Sequence, residues 1–104
     1  MLDDRLPTHT VAAGEIISDV AFETDTVVVK VFTLGPGGSL EPHVHEDEIN
    51  VFHILEGRPS IVQEEATRDI AAPGIVVHAP GVRHGARNDT DERAVISASL
   101  IAER

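Results

Sequence analysis

The run TVVVKVFTL at residues 26–34 is followed at once by GPGG at residues 35–38. β-Branched residues in succession favour extended backbone, and glycine with proline ends it in a tight turn. The same alternation recurs along the chain. Residues 49–55, 60–63, 74–79 and 94–101 are short runs rich in valine and isoleucine, punctuated by Glu56-Gly57, Pro73-Gly74 and Pro80-Gly81. No window sustains a 3.6-residue apolar period, so the pattern predicts an all-β fold. Residues 63–68 read as a turn or the tip of a short hairpin. Residues 1–10 read as an arm leading into one domain that occupies residues 1–104, a length that supports a single core.

In residues 49–55 one parity carries Asn50, Phe52 and Ile54, and the other carries Ile49, Val51, His53 and Leu55. A strand apolar on both faces in so small a chain predicts a cover for its outer side. A second sheet or a second subunit would serve, and a homodimer is the expected partner arrangement. On this parity His53 points away from Asn50 and is an outer-face residue.

Eighteen acidic residues against eight basic ones give a formal net charge of -10. Such a surface excludes phosphate-backbone recognition of nucleic acid and disfavours anionic membranes. Lys30 is the only lysine, and Phe22, Phe32 and Phe52 are the only aromatics, too few for a stacking platform. There is no apolar run near the length of a membrane span and no signal-like start, so a cytoplasmic location is expected by elimination. Without cysteine or tyrosine, thiol nucleophiles and phenol bases are excluded. No serine sits in a G-x-S-x-G context. The GPGG stretch lacks the lysine and helix of a phosphate loop and is a turn.

The chemistry-bearing residues are the six histidines. His43 and His45, two apart, share a face if the strand is extended there, and neutral imidazole is a common transition-metal ligand. His84, after the Pro80-Gly81 turn, is a candidate remote third ligand. His9 lies in the expected arm and is assigned a structural role. His78, at a strand end, would act as an acid or base in a cavity or cap the rim. Arg83 and Arg87 bracket His84 and could grip a carboxylate, or be solvated loop residues.

With these residues in place the chain resembles the cupins. Gly37, His43, His45 and Gly57 stand at the fixed positions of the family's first motif, G-x5-H-x-H-x(3,4)-E-x6-G, and Asn50 stands where the motif has glutamate. Gly74, Pro80, Gly81, His84 and Asn88 follow the second motif, with one residue fewer after the first glycine and Ala79 where proline is preferred. The resemblance implies an antiparallel β-barrel or jelly roll with a cavity at one end. It also implies a divalent transition metal (zinc, iron, manganese, nickel or copper) held by His43, His45 and His84.

Asn50 then decides the fourth position. The metal could be held by three histidines alone, or Asn50 could ligate through its oxygen or orient a water. Glu48, or Glu46, could swing in instead, or metal binding could have been lost. A three-histidine centre without the carboxylate is more cationic and suits an anionic substrate oxygen. The expected function is a metal-dependent enzyme, of dioxygenase, isomerase or lyase type, acting on a small organic molecule. His78 and Glu48 are its candidate acid–base groups. The alternative is a non-catalytic barrel that binds a small ligand.

Overall fold

The computed structural model describes residues 6–7 and 9–103. Nine strands form two antiparallel sheets. In chain order they are β1 (Ile16–Glu23), β2 (Val27–Leu34), β3 (Ser39–His43), β4 (Glu48–Glu56), β5 (Ser60–Gln63), β6 (Ala66–Asp69), β7 (Gly74–His78), β8 (His84–Arg87) and β9 (Ala94–Ala102). One sheet has the order β1-β2-β9-β4-β7, the other β3-β8-β5-β6. The fold is a jelly-roll sandwich, and strand pairing does not close the two sheets into one continuous barrel.

The strands expected at residues 26–34, 49–55, 60–63, 74–79 and 94–101 all form, with ends shifted by at most a residue. The segment at residues 63–68 resolves in favour of the hairpin: β5 and β6 pair from Ser60↔Asp69 to Gln63↔Ala66. Strand β1 carries no regular alternation, and it forms because β2 offers a partner from Ile16↔Leu34 to Glu23↔Val28, with a register shift between Val20 and Phe22.

The core lies between the sheets. Phe32 and Leu34 of β2, Phe52 and Ile54 of β4, and Ile96 and Ala98 of β9 meet Ile61 of β5 and Ala86 of β8. The parity expected for β4 holds: Asn50, Phe52 and Ile54 are buried inward, whereas His53 and Leu55 are exposed. The outer face of β4 and β7 stays apolar, with Ile75 60% and Val77 55% exposed.

Two glycines hold the sheets in this relation. Gly57 ends β4 at φ +81°, where an added Cβ would lie 2.6 Å from the Arg93 carbonyl, so side chains are excluded by conformation and by space. Gly85 sits beside His84 on β8, and a Cβ there would meet the Leu40 carbonyl at 2.7 Å and the Pro42 nitrogen at 2.9 Å. That close approach lets the irregular stretch of β3 between Leu40 and His43 pass over β8 and set His43 opposite His84.

The expected arm falls partly outside the described residues. His9 is tied down: its Nε2 lies 2.7 Å from Asp19 Oδ2, and Arg93 Nη1 donates to its carbonyl at 2.8 Å. No described helix is long and apolar enough to cross a membrane.

Candidate metal centre

Three loops and strands converge at one end of the sandwich. β3 delivers His43 as its last residue, β8 delivers His84 as its first, and His45 lies just beyond β3. The shared face of His43 and His45 therefore does not come from one regular strand, since β3 ends between them. They converge all the same. One ligand atom from each of His43, His45 and His84 lies within 4.8 Å of the others, and the ring centroids of His43 are 4.8 Å from His45 and 4.6 Å from His84.

Hydrogen bonds fix which nitrogen each ring offers. His43 donates through Nδ1 to the Glu41 carbonyl at 2.8 Å, and His84 donates through Nδ1 to the Val82 carbonyl at 2.8 Å. Each ring then presents an unprotonated Nε2. His45 has its Nδ1 3.4 Å from the Glu48 carboxylate. Such backing of an imidazole by a carbonyl or carboxylate orients the ring and selects its tautomer at metal sites. Burial holds the His84 imidazole below its ordinary pKa, against the Val82 hydrogen bond and with help from His43 and His45. Burial and then His43 lower His45, opposed by Glu48 and reinforced by Lys30. Neutral imidazoles are the form that binds metal.

Asn50 is 2% exposed, and its Nδ2 donates to His84 Nε2 at 2.8 Å while its Oδ1 is buried without a partner. A half-turn of the amide would exchange the two and turn the unpartnered Oδ1 toward the histidine nitrogens. Three convergent imidazoles are a donor set that fits a divalent transition ion, and a half-turned Asn50 would add a neutral oxygen beside them.

Glu48 has the inward parity of β4 but engages His45, and the convergent group contains the three histidines without it. Glu46 is exposed. His78 is fully buried and stacks on His84, with centroids 4.2 Å apart and planes 6° from parallel. Gln63 Nε2 donates to both the Val77 carbonyl and His78 Nδ1 at 3.0 Å, so His78 carries its proton on Nε2, which has no partner. Burial, then His84 and His43, lower His78 to about 4. His78 thus lies behind His84 as a neutral ring. Arg83 is exposed, and Arg87 is exposed and donates to Asp89 at 2.7 Å.

A cavity of about 310 Å³ opens beside the histidines, lined by Lys30, Phe32, Leu40, His43, His45 and Asn50, with Ala98 and Leu100 completing the wall. Sequence reasoning noted Lys30 only as the single lysine. The signal that would have placed it was its parity with Phe32 and Leu34 in TVVVKVFTL. Gln63 carried no signal, because its partner lies on the opposite sheet.

The sequence model of the cupin domain family matches residues 30–100. The chain belongs to the cupin family. Among solved structures, this cupin is similar to an uncharacterized conserved protein with a double-stranded beta-helix domain from Klebsiella pneumoniae. The two are 26% identical over 91% of this chain and 84% of that one, with a TM-score of 0.82. It is also similar to a predicted oxalate decarboxylase from Thermotoga maritima, at 21% identity over 86% and 82% of the two chains and a TM-score of 0.82. KdgF from Halomonas sp. matches at 18% identity over 92% and 87%, with a TM-score of 0.75. No curated protein matches the chain.

Proposed function

We propose that this cupin is a metal-dependent enzyme acting on a small organic molecule at a centre formed by His43, His45 and His84, with Asn50 as a neutral fourth group. The observation that carries the reading is the convergence of three imidazoles within 4.8 Å at the edge of a 310 Å³ cavity. A divalent transition metal bound there supplies Lewis acidity. The chain's own residues do the rest. Glu41 and Val82 hold His43 and His84 through their carbonyls, and Glu48 orients His45. Glu48 is partly exposed and lies 3.4 Å from His45, which makes it the candidate proton acceptor. His78 positions His84 by stacking and has no opening onto the cavity.

The experiment is metal content after purification without chelator, repeated in His43→Ala and His84→Ala. Stoichiometric transition metal in the wild type and its loss in both variants is the expected result. A wild type free of transition metal would end the enzyme reading in this form.

A second reading is a non-catalytic cupin that binds a small ligand. It is favoured by the cavity lining, which holds apolar residues beside His43, His45, Asn50 and Lys30 and contains no carboxylate. A ligand that binds the metal-loaded chain and is recovered unchanged would support it.

A homodimer is proposed through the outer face of β4 and β7. There Val51, Val77 and Ile75 lie side by side across the two strands, with Ile75 and Val77 exposed, an apolar patch of the kind that association buries.

A further inference from the structure

On β2, Val28, Lys30, Phe32 and Leu34 share one parity, and Phe32 and Leu34 belong to the core between the sheets. Lys30 therefore points inward, paired across the ladder with the buried Ala98. β2 lies between β1 and β9, so this charge does not serve as protection of a sheet edge. Turning an ammonium toward an apolar interior costs stability unless a partner offsets it. In a chain with eighteen acidic residues, Lys30 has no carboxylate within salt-bridge distance among the described residues. Its side chain instead lines the cavity that His43, His45 and Asn50 also line.

We propose that Lys30 is the anchor for a ligand carboxylate, and that the cavity takes a small monocarboxylic acid with a short apolar body. The carboxylate meets the Lys30 ammonium, the body lies against Phe32, Leu40 and Leu100, and a second polar group faces the three histidines. This rests on the reading of those histidines as the reactive centre. A cavity of about 310 Å³ is at the small end of ligand pockets, which favours a small acid over a large one. A phosphate group calls for several donors, such as arginine forks or a helix N-terminus. No arginine lines the cavity and its walls are apolar, so a carboxylate is the better match.

The test compares 2-hydroxybutyrate, its neutral primary amide and inorganic phosphate by calorimetry. The samples are the wild type, Lys30→Met and Lys30→Arg, with metal content measured in each. A charge-assisted contact predicts that the wild type binds the acid about tenfold or more tightly than the amide. Lys30→Met should abolish that ratio with metal content unchanged, and Lys30→Arg should keep most of it. Because Met retains the stem and removes an inward charge, the thermal midpoint of Lys30→Met should rise. As the only lysine, Lys30 also gives a single side-chain signal after reductive methylation with labelled formaldehyde, and that signal should shift with the acid and not with the amide.

Equal affinity for acid and amide in the wild type would overturn the proposal. So would acid binding that survives in Lys30→Met, or phosphate binding that is tighter than the acid and depends on Lys30. A lower thermal midpoint in Lys30→Met with an unchanged acid-to-amide ratio would mark Lys30 as structural. If the wild type carries no metal, the histidine reading fails by itself. The same comparison on the metal-free chain then decides Lys30, with an acid preference lost in Lys30→Met upholding it.

Discussion

Asn50 Nδ2 donates to His84 Nε2 at 2.8 Å, which places the amide at the position where the family's first motif has glutamate and within reach of the convergent imidazoles. An ion held by the three imidazoles would meet a neutral residue at this position, where a glutamate would cancel part of its charge.

Restoring the carboxylate should tighten metal binding. Asn50→Glu is expected to raise zinc affinity by about tenfold or more, the factor that 1.4 kcal/mol carries, measured by competition with a chromophoric chelator. Unchanged or weaker affinity would mean that the residue at this position does not face the ion.

The pH dependence of stability has a definite sign. The folded chain keeps His78 neutral down to about 4, whereas an imidazole in the unfolded chain takes up its proton near pH ~6.5. Between those values the unfolded state binds more protons, so stability falls as pH drops from about 6.5 toward 4 and does not change on this account above it. The shift corresponds to about 3 kcal/mol. Urea midpoints at pH 7 and pH 4.5 should separate strongly in the wild type, and much less in His78→Gln, which can still meet Gln63. Equal separation in both proteins would assign the acid sensitivity to other groups.

Asn88 should act on stability alone. It is fully buried, donates through Nδ2 to the Leu34 and Glu92 carbonyls, and accepts through Oδ1 from the Thr90 amide and hydroxyl. Replacing it with alanine strands several buried backbone groups, at a cost of roughly 2–4 kcal/mol. Calorimetric unfolding should show that loss while metal content per folded chain stays at the wild-type value.

Phe52 joins core and site. It is fully buried, and its ring meets His78 edge-on at 4.6 Å and His84 at 5.7 Å. Phe52→Ala should cost about 3–5 kcal/mol and, unlike Asn88→Ala, should also weaken metal binding, because the wall behind both imidazoles is removed.

The outer face offers a test of association. Val77→Asp places a charge on a side chain that is 55% exposed, so the folded monomer should tolerate it. Sedimentation should give a dimer for the wild type and a monomer for the variant.

Local chemistry explains which features could be read in advance. Strand β2 and the GPGG turn and the parity of β4 follow from spacing and turn residues that act within a few positions, whereas the grouping of His84 with His43 and His45 is implied by the resemblance of the two motifs to the cupins. Lys30 and Gln63 did not stand out, because their importance depends on what faces them across the sandwich. His78 is intermediate: a strand end could be assigned to it, but its stacking on His84 arises from β7 pairing with β4 at Asn50↔His78, a long-range register. Strand β1 owes its existence to β2 more than to its own pattern.

The inward turn of Lys30 has a practical consequence for work on this molecule. Apart from any terminal amine, the chain's one primary amine lies against its cavity, and the outer surface presents none. Amine-directed cross-linkers would leave two associated copies unjoined and report a monomer, while altering the cavity itself. Carboxyl-directed coupling, for which the acidic surface offers many sites, is the chemistry that can tether or join this protein from outside.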